Sequence, residues 1–164
     1  MSTASDLRRE AKGKKKATIV VAAERLDQDP WVGFSMAAYY PEGGGKQEGK
    51  EKLKFDEKQG PFELTFELED NSKGLKLAFL PSFEEAMWVA VGIQCPPGGP
   101  GDGGGAIAPV RVESKRLVVN NANSVAETLT FALRFTGLPA PDNSTLYVYD
   151  PQIINGGGSN VVNE

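Results

Sequence analysis

PFELTFELED, residues 61–70, is the stretch that decides the class of this fold. Phe62, Leu64, Phe66 and Leu68 alternate with Glu63, Thr65, Glu67 and Glu69. Successive side chains of a strand point to opposite faces, so a period of two buries one face and wets the other. ETLTFALRF, 127–135, repeats the device with Leu129, Phe131, Leu133 and Phe135 on the apolar side. The two stretches share the string L-T-F-x-L, at 64–68 and 129–133. Two apolar faces of this kind suit the facing sheets of a sandwich.

Outward from these, further strands are expected at 17–24, 31–39, 74–80, 88–94, 106–112, 116–120 and 145–149. Pro109 confines its run to an edge or a bend. Breakers separate the runs: DQDP, PEGGG, DNSKG, CPPGGPGDGGG, NNANS and GLPAPDNS. Eight or nine short strands with regular turns predict an all-β, antiparallel sandwich. The one internal helix candidate is SFEEAM, 82–87, with Ser82 as a cap and Glu85 three residues on. The glycine-rich, charge-dense loop 43–54 reads as a mobile hairpin tip, and 95–105 as low complexity.

The chain has 164 residues, 40% of them hydrophobic, with mean hydropathy -0.33, which fits one globular domain with tails. No apolar run reaches the length of a spanning helix, and no apolar segment follows the charged N-terminus as in a secretory signal. A cytoplasmic location is therefore expected. Cys95 is the only cysteine, which excludes an intrachain disulfide. Asn143-Ser144-Thr145 is a sequon that carries no weight without a secretory route. Residues 1–16 hold six basic and two acidic groups, a net of +4, and residues 17–164 hold twelve and twenty, a net of −8. The expected organisation is a disordered basic arm at 1–16, a domain at 17–155 and a flexible tail at 156–164. An acidic body disfavours nucleic acid as a partner, except through the arm.

Histidine is absent. That removes Ser-His-Asp and Cys-His catalysis, and with one cysteine it leaves a structural zinc site without ligands. Gly99–Gly104 matches G-x-G-x-x-G, but AIAPVRV follows where a dinucleotide site needs a helix N-terminus. No cofactor is called for. Asp27 and Asp29 in LDQDP are the calcium candidates, with Asp70 or Asn71 as a further ligand and a plain turn as the alternative. Trp31 and Trp88 read as core. Tyr147 and Tyr149, two apart on one strand face, read as the exposed pair that would stack on a ligand.

YVYDPQIIN, 147–155, then sets a question of its own. Pro151 is expected to end the last strand, Asp150 to accept turn hydrogen bonds, and Asn155 before Gly156 to make a turn with positive φ. Ile153 and Ile154 are too apolar for a free tail, so at least one should return to the core. On Asp150, Pro151, Ile153 and Asn155, with PFELTFELEDNSKGLKLAFL upstream, the chain resembles the DP-EP family of bacterial proteins. Gly156-Gly157 stand where that family's Glu-Pro would be. The bacterial inclusion-body proteins, also β-rich with late Asp-Pro segments, are the second likeness. The DP-EP resemblance implies an immunoglobulin-like β-sandwich of about eight strands and implies no reaction.

The sequence thus points to a non-enzymatic binding or assembly module, with a protein partner or self-association. Its binding candidates are Tyr147, Tyr149, Asp150 and Asn155. A small-ligand or carbohydrate-binding domain and a hydrolase working through carboxylates alone stay open beside it.

Overall fold

The computed structural model describes residues 14–93 and 97–158. Most of the basic arm, Cys95 and the tail beyond Gly158 lie outside the described residues. Two sheets face each other across one core. The first holds β1 (Lys15–Arg25), β2 (Val32–Tyr39), β5 (Phe62–Asn71), β8 (Ile107–Val112) and β9 (Arg116–Asn121), in the order β2-β1-β5-β9-β8. The second holds β3 (Gly45–Gln47), β4 (Lys52–Phe55), β6 (Ala78–Phe79), β7 (Met87–Val91), β10 (Glu127–Thr136), β11 (Leu146–Tyr149) and β12 (Gln152–Asn155). There β10 pairs with β11 and β12 on one side and with β6 and β7 on the other, and β4 and β3 extend the sheet beyond β12. The helix α1 is a single turn, Phe83–Ala86, in which the Ser82 hydroxyl bonds Glu85 rather than capping the backbone.

The two L-T-F-x-L strings lie in opposite sheets, as their apolar faces require. Their third residues, Phe66 and Phe131, meet across the core with ring centroids 5.6 Å apart. Aromatic contacts run along the whole interior. Phe55, Phe62 and Tyr40 cluster at the end where β1 enters and β12 leaves, here the near end. Phe34, Phe79, Phe135 and Tyr149 cluster toward the far end.

Several expectations are corrected. The sheets are mixed, because β1 runs parallel to β5 and β4 parallel to β12. Twelve strands replace about eight among the described residues. The segment 74–80 is strand only at Ala78–Phe79, although Leu75 and Leu77 are buried. Loop 43–54 is no mobile tip: it forms the β3–β4 hairpin, and Leu53 and Phe55 alternate into the core. Lys15 and Lys16, counted with the arm, already pair with Phe62 and Glu63. Gly156–Gly158 are not loose, since each makes a backbone hydrogen bond. Pro109 behaves as expected, at a register shift in the edge strand β8.

Pro151 does not end the last strand. The register with β10 runs through it unshifted: Leu133 pairs with Tyr149 and Thr130 with Gln152. The Pro151 carbonyl still accepts the Phe131 amide at 3.0 Å, and only the missing N–H is lost from the ladder. β11 and β12 are one strand with an interruption. The proline falls where β4 ceases to be a neighbour and the strand passes from the sheet interior to its edge.

Candidate interaction surfaces

The near end is closed by side-chain amides. Asn121 of β9 and Asn155 of β12 belong to opposite sheets and exchange two hydrogen bonds, 2.8 and 2.9 Å. Asn123 donates to the carbonyls of Asp56 and Gly60 and accepts from the Gly157 amide at 3.1 Å. All three asparagines are buried, so each amide needs these partners. Asn155 is therefore a strand residue only 3% exposed, not the centre of a positive-φ turn. The cluster also explains Gly156-Gly157. A Cβ on Gly156 would lie 2.3 Å from the Glu57 nitrogen, and a proline at 157 would lose the bond to Asn123.

Tyr147 and Tyr149 are corrected too. Each is 4% exposed and faces the core, because β11 turns Leu146 and Val148 outward instead. The Tyr147 hydroxyl donates to the Leu138 carbonyl at 2.7 Å. Tyr149 stacks on Phe34, and burial, with Glu51 and Asp150 adding to it, raises its hydroxyl pKa well above the usual tyrosine range. Ile153 is fully buried, as one of the two isoleucines had to be. Trp88 is not core: Met87 and Val89 of β7 point inward, and Trp88 lies on the outer face under the Arg134 guanidinium, 3.9 Å from its ring.

Asp27 and Asp29 are exposed in the β1–β2 turn. Among the described residues no three carboxylate, histidine or cysteine side chains gather as a metal ion would need. Asp70 is instead a structural hub at the far end. It accepts from the Ser72 amide and hydroxyl and from the Leu77 amide, with Lys115 Nζ at 3.7 Å. Burial pushes its pKa up, but the Ser72 and Leu77 hydrogen bonds and Lys115 outweigh that and hold it below the ordinary value. Gly99–Gly104 runs into β8, a strand, so no helix N-terminus receives a phosphate there.

Asp150 borders a hollow of about 760 Å³, with Pro151, Gln152 and the turn Glu48–Lys52. Its acids Glu48 and Glu51 sit on an exposed turn, not across a closed cleft. A second hollow of about 220 Å³ lies farther along β11, between Asp29–Val32 and Phe34 on one side and Asp142, Ser144 and Leu146–Val148 on the other.

The outer face of the second sheet differs in charge from the rest of the body. Its outward positions hold Lys46, Lys52, Lys54 and Arg134 against Asp150 and, from the β3–β4 turn, Glu48. Trp88, Leu146, Val148 and Ile154 lie among them. Lys46 and Lys54 stand directly opposite each other across β3 and β4, an arrangement that destabilises a sheet. Glu48 reaches Lys54 at 3.9 Å.

No protein-family model matches the chain, and no curated protein does. Among solved structures it is similar to the inclusion body protein PixA of Burkholderia cenocepacia J2315. The TM-score is 0.38 and the identity 8%, over 86% of this chain and 95% of that one. PixA belongs to the second of the two families weighed from the sequence, and the comparisons lend no support to the DP-EP likeness. No helix among the described residues is long and apolar enough to cross a membrane.

Proposed function

We propose that the chain is a non-enzymatic assembly module whose working surface is the outer face of the second sheet. The observation that carries this is the Lys46–Lys54 pair. Two like charges held opposite each other cost stability in the isolated chain, and an acidic surface laid over them offsets that cost. Trp88, Ile154, Leu146 and Val148 supply apolar area between the charges, as an interface core needs. Further copies of this chain offer the required partner, since residues 17–164 carry a net charge of −8. A basic face meeting an acidic surface elsewhere on the next copy is a heterologous contact, and such contacts propagate into rings or open arrays. The sugar-binding reading loses its two stacking rings, because Tyr147 and Tyr149 are buried.

Sedimentation velocity tests the proposal at low and at high salt. The wild type is expected to grow in mass with concentration at low salt only. A variant with Lys46→Glu, Lys52→Glu and Lys54→Glu is expected to stay monomeric in both. A wild type that is strictly monomeric at every concentration sinks the reading.

A further inference from the structure

One long side of the sandwich is sealed over half its length and open over the other half. In the sealed half, the edge strand β2 lies against β3, and Gln47 spans the gap. Its Oε1 accepts the Ala38 amide at 2.8 Å, and its Nε2 donates to the Met36 carbonyl at 3.1 Å. The side-chain amide does there what a neighbouring strand would do. In the open half, β2 faces β11, and no strand of the described residues pairs with β11 on that side.

The hydrogen-bond phase of β11 shows which groups that edge presents. Gly137 donates to the Thr145 carbonyl and Phe131 to the Pro151 carbonyl, so the odd-numbered residues between them bond inward to β10. The even-numbered ones point away, as the Gln152 amide does toward the Glu51 carbonyl. Among the described residues, the Leu146 N–H and C=O meet the Ser144 hydroxyl, at 3.4 and 3.2 Å. The N–H and C=O of Val148 face the slot by the same phase. The flanking side chains Leu146 and Val148 are 40% and 41% exposed. Trp31, in the wall opposite, holds φ at 72°, a strained conformation for a bulky residue, and such strain clusters at binding sites.

We propose that this slot takes an added strand: an extended segment of a partner protein, with an apolar centre and lysine or arginine on either side. The exposed Val148 backbone supplies the main-chain hydrogen bonds of strand addition, and Leu146 and Val148 supply the apolar contact. Charge selects the occupant. The two hollows that flank the edge are lined by Asp29, Asp142, Glu48, Glu51 and Asp150 against Lys50 and Lys52. A second copy offering the same edge would bring the same acids face to face, which disfavours self-pairing here. The slot adjoins the basic sheet face argued above and shares Leu146 and Val148 with it, but its binding groups are the main-chain N–H and C=O at the strand edge.

The full chain with Trp88→Phe makes Trp31 the sole tryptophan reporter of the slot. Three synthetic peptides are titrated into it: alternating valine and threonine ended by lysines, the same ended by glutamates, and residues 1–16 of this chain. The lysine-ended peptide is expected to bind saturably and to protect the Val148 amide from hydrogen exchange, while the glutamate-ended one does neither. Val148→Pro removes the outward N–H without touching the β10 ladder and is expected to abolish binding. Asp29→Asn with Glu51→Gln, both at exposed positions, is expected to weaken binding by roughly tenfold while leaving the fold intact. Equal binding of both ended peptides, or no protection at Val148, overturns the proposal. So does preferential capture of residues 1–16, which would make a second copy the occupant. Protection of the wild-type Val148 amide that rises with chain concentration, with no peptide present, would also overturn it, by assigning the edge to self-assembly.

Discussion

The two ends of this sandwich are held by different chemistry. At the near end, neutral amides do the joining: Asn121 to Asn155 across the sheets, Asn123 to the Asp56–Gly60 turn and to Gly157, and Gln47 along the β2 edge. At the far end the organiser is one carboxylate, Asp70, and the adjoining side is left open along β11. An amide gives and accepts at once and does not titrate, so it closes a buried joint under any solution condition. A carboxylate only accepts while ionised, so the far end depends on pH and on Lys115. The end that is chemically invariant is the one through which the chain enters and leaves.

The largest way to break this contrast is Asn155→Ala. It strands the Asn121 amide in a buried site and is expected to cost about 1–3 kcal/mol, read by chemical denaturation. Adding Asn121→Ala should cost less than the two single changes together, because the partners share one interaction. Strict additivity would show that the pair does not act as a unit.

Acid sharpens the contrast at the other end. The folded pKa of Asp70 lies below its unfolded value, so its contribution is present above the unfolded pKa and is lost as pH falls through the folded one. Below about pH 4 the wild type should lose stability that an Asp70→Asn variant has already lost, and the two unfolding curves should converge. Hydrogen exchange should show the Leu77 amide opening first while Gly157 stays protected. Parallel curves down to the lowest pH would remove Asp70 from this role.

The smallest effect is expected at Gln47. Replacing it with Ala should cost about 0.5–1.5 kcal/mol, the worth of an ordinary hydrogen bond, and should speed exchange at Ala38. The sealed half would then resemble the open one. An unchanged Ala38 exchange rate would mean that the edge is protected by something other than Gln47.

The sandwich was legible where one strand face is wet and the other dry. Phe62–Leu68 and Leu129–Phe135 announce themselves through period two, and their meeting at Phe66 and Phe131 follows from it. The period in KLKF, 52–55, was just as regular, but surrounding glycines and lysines disguised a strand as a loop. Asp150-Pro151 was read as a stop because proline usually is one. Only the pairing with β10 reveals that the strand continues, because the Pro151 carbonyl still bonds Phe131 although the reciprocal N–H is missing. Tyr147 and Tyr149 share a face, as expected, but alternation does not say which face is inside, and nothing local distinguishes them from Leu146 and Val148. The asparagine cluster was hidden because its members lie in segments that read as breakers or turns, and only the fold brings Asn121 to Asn155.

The parallel pairing of β4 with β12 joins residues a hundred apart in sequence. During synthesis, Leu53 and Phe55 leave the ribosome long before Ile153 exists to cover that side of β4. For that interval the nascent chain carries a half-built sheet with an apolar edge, the condition under which growing chains aggregate or recruit chaperones. Such distant pairing also slows folding, because loop closure must precede any gain from the contact. A ribosome stalled anywhere before residue 155 should therefore hold an unfinished sandwich, because β12 joins β4 to β10 in the second sheet.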